Sequence, residues 1–388
     1  MSPRPPSPIV DADAHVLEPP DLWRHYIDPA FRDRAIAVAR DPNGVEVLVV
    51  DGKPLSRSRG QLHKLGGYGI PLDALDADPT RSYVGSAPAA GMDPAARLDW
   101  MDAEGIDATI LYPSLALFWE TEVHDTALAD AYCRAYNRWI VDFCRDSGDR
   151  LIPIAHISLG DAGLAADELE RAVRSGARGA FVAPHTITRK PHGHPDHDAL
   201  FARAEALGVP LAIHPNLEPR PPMAAAHFDD MRGDLYYFVA TSLFAVQAAF
   251  TTLFQYGTFE RFPELEVVVL ETGAGWIGAW LDRLDGKFES VGRFDARLNT
   301  LPSEVFGRQC WISCDPDERS VAAIVPLVGA DRFFWASDYP HSEAKPGAMQ
   351  DLQGLGEALS PAARDEVFGA SAARLYGIEV NAAGRVRE

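Results

Sequence analysis

Eight short apolar runs recur along the chain, each rich in β-branched or aromatic residues. They are Pro8 to Asp13, Ala108 to Tyr112, Leu151 to Ile157, Ala177 to Val182, Pro210 to His214, Glu266 to Glu271, Cys310 to Cys314 and Arg332 to Asp338. Continuous apolar runs suit the strands of a parallel sheet, which are covered on both faces. Between most of them the apolar positions recur every three or four residues, the period of a helix with one buried face. That period predicts helices over Pro94 to Glu104, Thr126 to Arg145, Leu164 to Ser175, Asp198 to Leu207, Trp276 to Val291, Glu318 to Val328 and Leu352 to Leu359. Asp93 is placed to cap the first of these, with proline at the first helical position. Gly105, Gly176 and Gly208 are placed to end three of them. Eight strands alternating with helices predict an α/β fold, a distorted (β/α)8 TIM barrel.

Two insertions interrupt the alternation. Residues 16–93 follow the first strand and are expected to form a cap. They include a hairpin, Ala35 to Arg40 with Val45 to Val50, around Pro42-Asn43-Gly44. Residues 216–257 follow the fifth strand. They hold most of an uncharged stretch, Leu235 to Phe259, that is long enough to span a bilayer. Ser242, Gln247 and the flanking strand–helix units favour a helix buried in the core or at a subunit interface. Residues 1–8, MSPRPPSP, have no apolar signal region and read as a disordered lead.

Length alone, 388 residues, admits two or three domains. The alternation reduces this to one barrel spanning 1–388, with both insertions at its mouth. Lys and Arg number 36 against 56 Asp and Glu, a net charge of −20. That excludes attraction to nucleic acid and to an anionic membrane. Four cysteines without a C-x-x-C pair point to a reducing, cytoplasmic setting. The uncharged stretch leads us to expect a homodimer or higher oligomer.

Polar groups gather where these strands end. The first ends in Asp11, Asp13 and His15, which a period of two would place on one side. The others supply His185, His214, Glu271, Asp338 and His341. Imidazoles and carboxylates converging at a barrel mouth suit a divalent metal such as zinc, iron or manganese. Arg57, Arg59, His63, Lys64 and Arg81 in the first insertion are candidates to hold a substrate carboxylate. His192, His194 and His197 read as loop residues, and His156 as a satisfied buried histidine. Ser337 lies in no nucleophile-elbow motif. The glycines of ETGAGWIG read as a tight strand-to-helix turn rather than a phosphate loop.

Four segments together carry a resemblance: IVDADAHVLEPPDLW, GVPLAIHPN, FERFPELEVVVLETGAGW and ASDYPH. They resemble the amidohydrolase superfamily, in its amidohydrolase-related, aminocarboxymuconate semialdehyde decarboxylase-like branch. The resemblance implies that Asp13, His15, His214 and Asp338 bind a metal, with Asp338 also orienting water or acting as a base. Two positions depart from the family. Asp13 stands where a histidine or glutamate is usual, and Glu271 stands where the decarboxylases carry a histidine. This D-x-D-x-H pattern with a strand-six glutamate resembles a subgroup of dinuclear non-haem iron monooxygenases.

The resulting expectation is a monooxygenase with two divalent metals, iron before zinc or manganese. It would hydroxylate an aliphatic C–H bond of a small organic acid or natural product. Asp13, His15, His214, Glu271 and Asp338 would hold the metals, with His185, His341 and Asp11 as additions, Asp11 either as a ligand or as an acceptor that orients one. Asp338, Glu271 and His185 would serve catalysis. Dioxygen, an external reductant and a redox partner would be required. The alternative is a metal-dependent hydrolase or a non-oxidative decarboxylase. A third class is a non-catalytic partner subunit.

Overall fold

The computed structural model describes residues 7–217, 234–380 and 386. Most of the expected lead and the stretch 218–233 of the second insertion lie outside the described residues. Eight parallel strands form the barrel: β1 (Val10–His15), β5 (Ala108–Tyr112), β6 (Leu151–His156), β7 (Gly179–Val182), β8 (Leu211–Ile213), β9 (Val267–Val269), β10 (Cys310–Cys314) and β11 (Phe333–Trp335). They lie side by side in that order. The fold is the expected (β/α)8 barrel.

No ladder joins β11 back to β1. The gap is closed just beyond the strand ends, where His15 N donates to Tyr339 O at 2.7 Å and Asp338 N to Asp13 O at 3.0 Å. Several strands are shorter than their apolar runs, β9 and β11 among them. Glu271 and Asp338 leave the ladder with positive φ, 50° and 57°. Such residues cannot continue a strand.

β1 is irregular. Its register against β5 shifts between Asp11 and Ala14. Val10 and Ala12 pack with Ile110, Tyr112, Phe181 and Phe334 in the smaller hydrophobic cluster, which the barrel encloses. Asp11 therefore does not share the inward face with Asp13 and His15. The expected period of two fails at the bulge, which re-aims the residues after it.

The helices follow the expected periods and caps. Asp93 Oδ1 accepts from Ala96 N at 2.8 Å, ahead of Pro94–Glu104. Gly105 and Gly208 end their helices with φ of 80° and 61°, which only glycine adopts without strain. In the first insertion, β2 (Ala37–Arg40) pairs with β3 (Glu46–Val50), and β4 (Lys53–Pro54) adds a third, antiparallel strand. All four cysteines are free and buried.

The uncharged stretch departs from the first of its two expected placements, full burial in the core. It forms a helix from Tyr237 to Gln255 that is long and apolar enough to cross a membrane. Val246, Phe250, Leu253 and Phe254 are buried against the barrel. Leu235, Phe238, Val239 and Phe244 are exposed, so the helix is not buried all round.

One buried carboxylate joins the end of β1 to the loop after β5. Glu18 is fully buried and accepts from Ser114 N at 3.1 Å, Leu115 N at 2.8 Å and Ala116 N at 3.0 Å. Removing it leaves three buried donors without an acceptor. Glu18→Ala is expected to cost on the order of 3–5 kcal/mol of stability, and Glu18→Gln less. Urea unfolding midpoints check this; equal midpoints for wild type and Glu18→Ala would remove the role.

Candidate metal centre

The strand ends bring six of the predicted residues together. β1 supplies Asp13 and His15, and the segment after β8 supplies His214. Glu271 follows β9, and Asp338 and His341 follow β11. Three overlapping groups, Asp13–His15–His214, His15–Asp338–His341 and Glu271–Asp338–Glu343, have ligand atoms close enough to share a cation. His15 and His214 are fully buried and Asp13 is nearly so.

The histidine tautomers are set by their backbone partners. His15 Nδ1 lies 2.7 Å from Pro113 O, and His214 Nδ1 lies 2.6 Å from Pro215 O. A carbonyl can only accept, so each Nδ1 carries the hydrogen and each Nε2 presents its lone pair. His15 Nε2 lies 3.7 Å from Asp13 Oδ1 and 3.4 Å from Asp338 Oδ1. His214 Nε2 lies 3.6 Å from Asp13 Oδ1 and 3.3 Å from Glu271 Oε2. Both Nε2 atoms and both Asp13 oxygens are buried without a hydrogen-bond partner. Lone pairs facing carboxylate oxygens repel, whereas a cation among them would bind them all. The donor set fits a divalent metal, and the carbonyl bonds supply the orienting contacts that such ligands need.

At His15 the electrostatics agree with this reading. Burial, then the neighbouring His341 and His214, hold His15 well below the usual imidazole pKa. The neutral form is the metal-binding form. Burial opposes charge on His214 too, but Asp13 and Glu271 carry its pKa upward overall. Burial pushes the Asp338 carboxyl well above its ordinary range, with Glu343 and Asp13 adding to the effect. It does the same to Glu271, against the pull of His214.

Left-handed backbone at Glu271 and Asp338 is strain of a kind that concentrates at functional sites. The turn after Glu271 is held by Glu318, whose carboxylate accepts from Ala274 N at 2.8 Å and Gly275 N at 2.5 Å. This is the tight turn expected of ETGAGWIG.

Two predicted ligands lie outside the three groups. Both oxygens of Asp11 are occupied by Ser337, whose N and Oγ donate at 2.9 and 2.5 Å. Burial pushes its pKa up to about 7, against those bonds. Asp11 is thus withdrawn as a ligand, because the bulge in β1 turns it toward the segment after β11. His185 follows β7 at the mouth but shares no group with these ligands. It lies within electrostatic reach of Glu120 and His192 instead.

The remaining histidines behave as expected. His156 Nε2 pairs with Glu120 at 3.0 Å, and His192 Nε2 and His197 Nδ1 bond backbone carbonyls. The cations of the first insertion are engaged within the chain: Arg57 with Glu122, Arg59 with Asp41, and Lys64 with Asp76. His63 Nε2 meets Leu75 O. Sequence reasoning missed Glu343 and Glu18. Glu343 stands two residues after His341, so the strand-eight motif could have been read further. Glu18 lies inside the quoted first motif, but only the fold shows its partners.

A family model described as Amidohydrolase matches residues 10–378. The chain belongs to the amidohydrolase family. A gamma-resorcylate decarboxylase of Rhizobium sp. (strain MTP-10005) is 25% identical over 258 residues, 63% of this chain and 76% of the relative. Among solved structures, an amidohydrolase from Mycobacterium avium subsp. paratuberculosis K-10 superposes with a TM-score of 0.81 at 20% identity, covering 96% of this chain and 99% of that one. A dihydroxybenzoic acid decarboxylase from Polaromonas sp. JS666, with bound manganese and the inhibitor 2-nitroresorcinol, gives 0.66 at 16% identity, covering 96% and 97%.

These comparisons overturn the expected monooxygenase. This amidohydrolase resembles proteins named as decarboxylases and amidohydrolases. The two substitutions that suggested an oxygenase, Asp13 and Glu271, cannot carry that weight. Carboxylate donors serve manganese and zinc as well as iron.

Chelated protein reloaded with manganese is expected to gain about 2.7 kcal/mol of stability at 100 times the dissociation constant. His214→Ala and Asp13→Asn should each weaken manganese binding by at least about 100-fold. Thermal shift and calorimetric titration check both. A wild type whose melting temperature ignores every divalent metal would remove the centre.

Proposed function

We propose that this amidohydrolase is a metal-dependent, non-oxidative decarboxylase of a benzoate-type acid. The carrying observation is a buried set of unpartnered metal-ligating atoms on Asp13, His15 and His214, with the Asp338 carboxyl 3.4 Å from His15 Nε2. Asp13, His15 and His214 would hold the cation, with the Asp338 carboxyl beside them. Bound there, a divalent metal supplies a Lewis acid for the substrate's carboxylate and adjacent oxygen.

The chain's own residues then have defined tasks. His15 and His214 present Nε2 lone pairs from fully buried rings, which fixes the substrate's anchor and excludes water from one side. Asp338 holds a proton on its carboxyl oxygen. As the bond between ring carbon and carboxylate breaks, carbon dioxide leaves and the electron pair stays on the ring carbon. That carbon takes the proton from Asp338. The step balances without an oxidant or reductant. Glu271 occupies the place of the decarboxylases' histidine. With its pKa raised, a neutral Glu271 carboxyl can donate a hydrogen bond or a proton where an imidazolium otherwise would.

A hydrolase reading of the same centre draws on Glu271 too. A carboxylate 3.3 Å from His214 Nε2 is placed to take a proton from an attacking water. Acid release from an amide or lactone, without carbon dioxide, would select it.

The test uses manganese-loaded protein with 2,6-dihydroxybenzoate and related hydroxybenzoates, without oxygen or reductant. Carbon dioxide release is expected, and in D2O one deuterium should appear on the ring carbon that lost the carboxylate. Asp338→Asn should lower kcat by about 10²–10⁴-fold. Product formation that consumes dioxygen, or no carbon dioxide from any benzoate-type acid, would defeat the proposal.

A further inference from the structure

We infer that Asp11 and Ser337 form a clamp that holds Asp338 in its left-handed backbone conformation, making both of them positioning residues for the metal centre. The inference rests on the decarboxylase reading only where it concerns turnover.

Asp11 is completely buried in β1, and both its oxygens are committed. Oδ1 accepts from Ser337 N at 2.9 Å, and Oδ2 accepts from Ser337 Oγ at 2.5 Å. The same Oγ accepts from Tyr339 N at 3.0 Å. One hydroxyl thus bridges across Asp338, tied to the residues on either side of it. Asp338 N donates to Asp13 O at 3.0 Å, and Asp338 O accepts from His341 N at 3.0 Å. The backbone around a residue at φ 57° is held from both directions.

That conformation costs on the order of 1–3 kcal/mol and persists only when its surroundings over-determine it. The clamp supplies that determination. It also explains why a carboxylate so near the centre is no ligand. Arg97, fully buried, donates to Ala90 O at 2.7 Å and lies 4.7 Å from the Tyr339 ring centroid, and its charge acts on Asp11. Its charge therefore partly balances the buried Asp11 carboxylate.

The test compares Ser337→Ala, Asp11→Asn, the double variant and Ser337→Thr. Manganese dissociation constants are measured by titration without substrate, and turnover separately. Each single variant is expected to weaken manganese binding about 10–100-fold. kcat should fall by a similar factor with KM within twofold. The double variant should lose no more than the weaker-binding single variant, because the two residues act as one unit. Ser337→Thr, which keeps the hydroxyl, should restore most of the affinity.

Manganese affinity and kcat within twofold of wild type for Ser337→Ala would overturn the inference, even if its melting temperature falls. So would single-variant losses that multiply in the double variant. Manganese results that match expectation while wild type releases no carbon dioxide would support the clamp and defeat only the decarboxylase reading.

Discussion

Between Asp11 and His341 the chain's first strand and last barrel segment are laced together by backbone and side-chain bonds. His15 N reaches Tyr339 O, Asp338 N reaches Asp13 O, and Ser337 sits on the Asp11 carboxylate. These bonds close a barrel whose strands β1 and β11 share no ladder. They also set Asp13, His15 and Asp338 against one another. Closure and site assembly are the same event, so the centre cannot form in a barrel that fails to close.

Burying so many ionisable groups at one place is costly unless each is paired or a cation joins them. The protein meets the cost in several ways. Nδ1 of each central histidine bonds a carbonyl, the Asp11 oxygens meet Ser337, and Glu18 meets three backbone donors. At the strand ends, Asp13 Oδ1 and Oδ2, Asp338 Oδ1 and the two Nε2 atoms stay without a hydrogen-bond partner and face the shared space. A concentration of orphaned acceptors, in a fold that satisfies their neighbours, is the physical mark of the metal site.

Particular residues show how far the sequence could be read. Continuous apolar runs gave all eight barrel strands, because a parallel strand covered on both faces needs apolar side chains on both. Asp93, Gly105 and Gly208 marked helix ends, because capping and left-handed backbone are local demands. His15, His214 and Asp338 were legible because they fall where strands end. Asp11 was open between ligand and orienting acceptor, and its expected face was misread because a bulge breaks the period of two and has no signature in the alternation itself. The uncharged helix was left open between core and subunit interface, because composition does not say which face another element covers. Asp13 and Glu271 were read as oxygenase markers, although carboxylate ligands do not distinguish one metal's chemistry from another's.

By itself the sequence determined the strands, the helices between them, the barrel and the residue types brought to its mouth. These follow from periodicity, capping and strand-end position, all of which act over a few neighbouring residues. Only the tertiary structure decided which carboxylates face the shared space and which are spent on Ser337 or on backbone donors. It also brought Glu343 beside Glu271 and gave Glu271 and Asp338 their left-handed turns. Those outcomes depend on contacts between segments far apart in the chain, such as Asp11 with Ser337, 326 residues apart. No local pattern encodes a partner at that distance.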